Sequence, residues 1–459
     1  MTLTWPCPQP LPAPAPDSTG MSGSRCENYR DRLSGYLADA EARGLRIEHV
    51  IETHFHADFV SGHLELAEAS GADICFGEAA GPTDFPIRRL ADGTSIELGQ
   101  VTLEILATPG HTPESISVVV REHPDNEVPY GVLTGDTLFI GDVGRPDLLA
   151  SAGRTADDLA RHLHRSLHNR LLVLPDATRV FPAHGAGSAC GKSLSTETQS
   201  TIGEQRRLNY ALAPMTEDEF VAIVTEGQPT APLYFPFSAH RNREARPLLD
   251  EHEAPEALSA DDVLQLQKAG AAVLDTREAA DFAAGHLPGS LNVGLAGRFA
   301  EYAGDVLRPE QPIVLVCDDG HELEAKVRLG RIGFDSVAGY LDTPARVFLA
   351  DDTPVARSSR LTAVELAERL ADPGAIQLLD VRNPGEVAPG AVPGATNVPL
   401  PKLLEYLPEI DAGRPVVVYC AGGFRSSLAS SLIASTGHPD VSDLLGGYAA
   451  WDLLVRSAG

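Results

Sequence analysis

Ile51-Glu52-Thr53-His54-Phe55-His56-Ala57-Asp58-Phe59 closes an apolar run and decides how the first half of this chain is read. Ile47–Glu52 predicts a strand, so the residues after it project over a sheet edge. Two imidazoles and a carboxylate within five residues of such an edge read as a metal-binding loop. Three further candidates stand after short apolar runs, each beside Gly or Pro: His111 in Thr-Pro-Gly-His-Thr, Asp136 in Leu-Thr-Gly-Asp-Thr and His184 in Phe-Pro-Ala-His-Gly. One such histidine is ordinarily structural. The whole set, each member displayed on a tight loop, suits zinc, iron or manganese.

Working outward, Leu33, Tyr36, Leu37 and Ala40 recur at helical spacing, with Gly44 as a stop. Leu64–Ser70 predicts a helix, and Ile74–Phe76, Val101–Ala107, Ile116–Val120 and Gly131–Leu133 predict strands. Thr155 is placed to cap a helix running to about Asn169. The mixture signals an α/β or α+β domain. Residues 1–28 alternate proline with small residues and read as an extended, disordered tail.

The composition narrows the class. The 459 residues, at about 150 per domain, suggest about three domains. A formal charge of −28 argues against nucleic-acid binding, which needs a positive face. Six cysteines without a CxxC pair do not make a disulfide scaffold. No apolar run reaches a membrane span and no secretory pattern opens the chain, so a cytoplasmic protein without membrane partners is expected.

The motifs HxHxD, TPGHT, TGDT and PAHG, in this order, resemble those of the metallo-β-lactamase superfamily over roughly residues 29–250. The resemblance implies an αββα sandwich. In the usual binuclear members a histidine follows the Asp of the first motif and holds a second metal. Phe59 stands there and cannot ligate, which favours a mononuclear centre. Gly-Asp-Val-Gly-Arg145-Pro-Asp147, His184-Gly-Ala-Gly-Ser-Ala-Cys190-Gly-Lys192 and Gly203-Glu-Gln-Arg-Arg207 are similar to the persulfide dioxygenases of that superfamily. That resemblance implies one Fe(II) per chain on His54, His111 and Asp136, with zinc as the alternative. His56, Asp58 and His184 become outer-shell or alternative ligands. Cys190, Arg145 and Lys192 are candidate substrate contacts, against the plainer reading of a packing thiol and two solvated cations. The superfamily normally opens on a strand pair, of which residues 1–28 show no sign.

The last 200 residues contain a degenerate repeat. Leu274-Asp-Thr-Arg277 matches Leu379-Asp-Val-Arg382, and Pro288-Gly289 with Asn292 matches Pro393-Gly394 with Asn397. Ile313–Cys317 matches Val416–Cys420, and Gly339-Tyr340 is paired with Gly447-Tyr448. The second copy, 360–459, reads strand, tight loop, helix around Cys420-Ala-Gly-Gly-Phe-Arg425. Converging amides, a helix N-terminus and the charge of Arg425 predict an exposed, low-pKa thiol suited to sulfur transfer. This loop resembles that of the rhodanese family, in which such a cysteine carries a persulfide. The first copy, 258–350, puts Asp318, Asp319 and Glu322 around Cys317 and reads as an inactive rhodanese-like spacer.

Together the resemblances imply a dioxygenase that oxidises a low-molecular-weight thiol persulfide, such as glutathione persulfide, with O₂ to sulfite. Rhodanese sulfur transfer involving sulfite or thiosulfate would be coupled to it in sulfide detoxification, in a homo-oligomer. Two rivals stand beside this reading. One is a zinc-dependent thioesterase of glyoxalase II type, and the other a sulfur carrier with an inactive metal domain.

Overall fold

The structure, a computed structural model, describes residues 33–148, 155–186, 188–192, 194–350, 353–372 and 374–458. The expected tail over residues 1–28 lies outside them. The chain forms two compact units, one of residues up to 231 with 235–249 and one of 232–234 with 250–459.

The first unit carries two sheets. Strands β1 (His49–Ile51), β2 (Asp73–Gly77) and β3 (Arg88–Leu90) form a parallel sheet in that order. Strands β4 (Ser95–Leu98), β5 (Val101–Ala107), β6 (Ile116–Arg121), β7 (Gly131–Gly135), β8 (Arg179–Pro182) and β9 (Ser200–Thr201) form the second, again in order. It is antiparallel except where β7 and β8 run parallel. Cys75 and Leu90 of the small sheet pack with Ile96, Leu103, Ile105, Ile116 and Val118 of the large one, so one core lies between the sheets. The outer face of the large sheet offers Leu106, Val119, Val132 and Val180 to Leu163, Ile202 and Phe220 of the helices Ala156–Ser166, Ile202–Leu208 and Glu217–Thr225. Helices Leu33–Ala42 and His63–Ser70 cover the small sheet. The layers are helix, sheet, sheet, helix, as the motifs imply.

Some local readings need correction. Thr155 does cap its helix, accepting from Asp158 N, but the α-helix ends at Ser166 and a wider π turn, Leu167–Leu171, completes it. Two short strands, β3 and β4, went unpredicted because only Leu90 and Ile96 are buried in them, too little for an alternating pattern.

The second unit repeats one parallel topology. The first copy orders β10 (Ala257–Leu258), β14 (Val337–Leu341), β13 (Ile313–Val316), β11 (Ala272–Asp275) and β12 (Leu291–Asn292) across its sheet. The second orders β15 (Ser359–Leu361), β19 (Val441–Leu444), β18 (Val416–Tyr419), β16 (Gln377–Asp380) and β17 (Thr396–Asn397) identically. Central strands β11, β13 and β18 are buried at every position, which explains their unbroken apolar runs.

The repeated landmarks prove to be scaffold. Arg277 grips Asp275, and Asn292 Nδ2 donates to the carbonyls of Asp275 and Arg277 at 3.2 and 2.9 Å. Arg382, Asp380 and Asn397 do the same in the second copy, with the amide at 2.9 and 2.8 Å. One expected pair fails. Gly339-Tyr340 lies inside β14, whereas Gly447-Tyr448 opens the helix Gly447–Ala458. Register shows why: Leu341 of β14 and Leu444 of β19 pair with the last residues of β10 and β15, Leu258 and Leu361, so Pro344 is the counterpart of Gly447.

Because Asp380 is buried and clamped, Arg382→Met is expected to destabilise the second unit by about 3–5 kcal/mol. Urea unfolding of the full chain, followed against wild type, measures it.

Candidate metal centre and sulfur-transfer loop

Loops leaving β1, β5, β7 and β8 deliver the ligand candidates to one rim of the first unit. The β1 loop carries His54, His56 and Asp58, the β5 loop carries His111, and Asp136 and His184 stand just past β7 and β8. Backbone bonds hold these loops together across the two sheets. Ile116 N donates to Thr53 O at 2.9 Å, and Phe55 N donates to Glu114 Oε1 at 3.1 Å. Only glycine fits at Gly144, where a Cβ would lie 1.9 Å from the Asp136 carbonyl oxygen.

His54, His111 and Asp136 converge, all buried, with one ligand atom from each mutually within 4.8 Å. Asp136 Oδ2 lies 3.9 Å from His54 Nε2, 3.4 Å from His111 Nε2 and 3.4 Å from His184 Nε2. His111 turns Nδ1 to the Arg145 carbonyl at 2.9 Å, which directs the Nε2 lone pair inward. His54 Nδ1 rests 3.0 Å from Thr53 Oγ1. The Nε2 of His54 and both Asp136 oxygens are buried without a hydrogen-bond partner. Burial and the nearby His56 ring hold His54 well below its usual pKa. For Asp136 burial opposes ionisation, but His184, His54 and His111 outweigh it and hold the carboxyl well below its usual range. A neutral imidazole and an ionised carboxylate without donors are what a cation requires, so these residues fit a metal.

His56 is turned away from this group. Its Nε2 lies 3.4 Å from Glu52 Oε2, and its ring stacks on Phe59 with centroids 4.3 Å apart. Burial opposes its charge, yet Glu52 raises its pKa overall. Asp58 and His184 instead meet Cys190, again with ligand atoms within 4.8 Å of one another. Burial, reinforced by Asp58 and Asp136, pushes the Cys190 thiol far up.

The two candidate cations have internal partners. Arg145 is buried, pairs bidentately with Asp147 at 2.7 Å and donates to Ala189 O. Lys192 sends Nζ to the carbonyls of Ile223 and Glu226 and lies over the Tyr210 ring.

Sequence reasoning passed over Glu52 and Asn242. Glu52, a charge ending an apolar strand, left a faint signal. Asn242 left none, because its work depends on a contact across more than 180 residues. Its amide donates to the carbonyls of His56 and Phe59 and accepts from Ser61 N, each at 2.8 Å, so it clamps the β1 loop.

In the second unit Cys420 directly follows β18, and Gly423 N donates to its sulfur at 3.1 Å. The helix Phe424–Ser435 starts immediately beyond. The expected exposure is corrected: Cys420 is 1% exposed, because the loop curls inward around its own sulfur. Arg425 is not a free charge either, since Glu386 takes it bidentately at 2.8 and 2.7 Å. Burial opposes the guanidinium's charge, but Glu386 outweighs it and raises the pKa. The helix Gly447–Ala458 braces the loop from behind, with Tyr448 N donating to Cys420 O at 2.7 Å and Ala449 N to Ala421 O at 3.1 Å. A Cβ on Gly447 would lie 2.4 Å from that Cys420 oxygen.

Cys317 lacks this setting. Its counterpart helix is the four-residue Pro344–Val347, and no bond from it reaches Cys317 or Asp318 among the described residues. Burial, with Asp275, Glu322 and Asp318, pushes the Cys317 thiol up to about 12, against a lowering hydrogen bond from Thr276.

Comparisons with known proteins agree with these two site types. The metallo-beta-lactamase superfamily matches residues 19–184, starting inside the stretch read above as a tail, and the rhodanese-like domain matches 259–343 and 362–453. The chain is 30% identical over 201 residues to mitochondrial persulfide dioxygenase ETHE1 of Bos taurus, covering 43% of this chain and 69% of that protein. A probable metallo-hydrolase of Burkholderia pseudomallei is 32% identical over 211 residues, covering 41% and 68%. A solved metallo-beta-lactamase from Staphylococcus aureus superposes with a TM-score of 0.61 at 33% identity, covering 68% of this chain and 90% of that one.

Two outcomes follow from the geometry. Asn242→Ala leaves buried carbonyls without donors and is expected to weaken metal retention by about 10–100-fold, measured by metal content after graded chelation. A thiol at about 12 is ionised in only about one molecule in ten thousand at pH 8. Cys317 is therefore expected to resist iodoacetamide there, and peptide mapping of the alkylated chain checks it.

Proposed function

We propose, for a chain that belongs to the metallo-β-lactamase superfamily and carries two rhodanese-like domains, that it is a persulfide dioxygenase coupled to sulfur transfer. The substrate is a low-molecular-weight thiol persulfide such as glutathione persulfide. The balance is RSSH + O₂ + H₂O giving RSH, sulfite and two protons: the outer sulfur gives up four electrons to oxygen and the S–S bond breaks.

The observation that carries this reading is the withdrawal of His56 onto Glu52 beneath Phe59. It leaves His54, His111 and Asp136 as a set of two imidazoles and one carboxylate, the pattern of non-haem iron oxygenases. An Fe(II) held there would supply the redox chemistry that couples persulfide to oxygen. The chain's own residues supply the rest. His111 is oriented by the Arg145 carbonyl, and Asp136 stays ionised among its imidazoles. The His56 ring, turned to Glu52, lies 4.2 Å from that of His54.

In the second copy, Cys420 is the sulfur carrier. Its persulfide passes the outer sulfur to sulfite, which leaves the thiol and thiosulfate, or the reverse reaction loads it. The Gly423 amide and the start of the helix Phe424–Ser435 favour negative charge on sulfur. The first copy is a spacer, since its thiol is held protonated by burial and carboxylates.

Similarity to a probable metallo-hydrolase keeps a zinc thioesterase as the second reading. Metal analysis with oxygen uptake on glutathione persulfide separates the two. Iron near one per chain and sulfite formation are expected, and tight zinc with thioester turnover but no oxygen uptake would sink the dioxygenase. His111→Ala is expected to abolish oxygen uptake while sparing thiosulfate sulfurtransfer. Cys420→Ser should do the opposite, and Cys317→Ser should change neither.

A further inference from the structure

We infer that the first copy, inert in its own thiol, holds the sulfur-transfer loop of the second in place, with Asn292 and Ser427 as positioning residues for Cys420. The inference rests on the reading above in taking Cys420 as the sulfur carrier. β12 is an edge strand of the first sheet, and an edge strand ordinarily leaves a row of amides and carbonyls unpaired. Here it meets the helix Phe424–Ser435 of the second copy, in which Ser426, Ser427, Ser430 and Ser431 are buried. Asn292 N donates to Ser431 Oγ at 2.9 Å, and Ser427 Oγ donates to Asn292 Oδ1 at 2.7 Å. Asn292 Nδ2 meanwhile donates to the carbonyls of Asp275 and Arg277, so one buried side chain ties the first sheet to that helix. Its counterpart Asn397 makes the same clamp but is exposed, and its amide oxygen meets no donor among the described residues.

The tie reaches the sulfur through Gly423. Ser427 stands in the first turn of the helix, and its N donates to Gly423 O at 3.3 Å. Ser426 Oγ donates to the same carbonyl at 3.1 Å. Gly423 directs its own N–H at the Cys420 sulfur, 3.1 Å away, from a left-handed backbone at φ 109° that favours glycine. Phe424, the next residue, rests on the Tyr302 ring of the first copy with centroids 5.4 Å apart. An amide stabilises a thiolate only while it stays aimed, because hydrogen bonds weaken steeply as they bend. Holding Ser427 from the first copy therefore holds the donor that faces the sulfur. The first copy thus serves the reaction through its edge strand and not through Cys317.

The test uses the full chain. Ser427→Ala cuts the tie while keeping the Asn292 clamp and a good helix former. Sulfur transfer from thiosulfate to a thiol is measured beside the pH profile of Cys420 alkylation, read by peptide mapping. Turnover is expected to fall about 5–10-fold with KM for thiosulfate unchanged, because a bond to a charged sulfur is loosened and not lost. The alkylation profile should move to higher pH. Asn292→Ala, in the other copy, should move it the same way. Ser430→Ala is the control, since its hydroxyl bonds only within the helix, to Ser427 O, among the described residues, and it should change neither readout. Unmoved turnover and profile in Ser427→Ala, or an equal loss in Ser430→Ala, overturns the inference. If sulfur transfer survives Cys420→Ser, the carrier assignment fails. The alkylation profile then decides the tie by itself, upholding it if Ser427→Ala shifts the profile and refuting it if not.

Discussion

Asp136 is a carboxylate buried among three imidazoles, and the first unit is organised around keeping it there. An ionised carboxyl without compensating charge or donors is not stable in a protein interior. Here His54, His111 and His184 approach it from loops that leave β1, β5 and β8. Those strands belong to different sheets, so the sheets must be locked rim to rim before the imidazoles can meet. The Ile116–Thr53 and Phe55–Glu114 bonds perform that locking, and Gly144 allows the chain to pass against Asp136 without a side chain. Fold and electrostatics are therefore a single problem in this unit.

The neighbouring Glu52 solves a second one. A histidine two residues from a ligand would ordinarily join the metal. Burial opposes charge on His56, but Glu52 raises its pKa, and Phe59 closes over the ring. Asn242 fixes the path of the same loop by taking its carbonyls and an amide. The contrast with Asp58, His184 and Cys190 is chemical as well as spatial, because one cluster offers only nitrogen and oxygen and the other adds sulfur.

The two copies of the second unit share a sheet order and a buried Asp–Arg–Asn clamp, yet they differ in the loop around the cysteine. The difference is local. Around Cys420 an amide meets the sulfur and a twelve-residue helix braces the loop, whereas around Cys317 three carboxylates enter and the helix shrinks to four residues. Scaffold and chemistry are thus separable, and a clamp can persist when the thiol beside it has lost its setting. The one landmark that failed, Gly339-Tyr340 against Gly447-Tyr448, matches residue identities at places of different strand register. Strand register, not residue identity, sets equivalence there.

The sequence by itself determined the fold class, the repeat and the candidates for binding metal or carrying sulfur. Those depend on short-range features: strand ends, tight turns, and side-chain types that have one plausible chemistry in company. The ligand candidates were legible because they cluster in motifs beside Gly and Pro. Tertiary structure alone decided how they divide, with His56 withdrawn onto Glu52, Asp136 shared by three imidazoles and Cys190 placed with Asp58 and His184. It also decided that Cys420 is buried and that Arg425 is paired with Glu386. Each of these depends on contacts between segments far apart in the chain, and on the burial that makes a charge costly unless it is paired. Neither can be read from spacing, because spacing records who is near in sequence and charge responds to who is near in space.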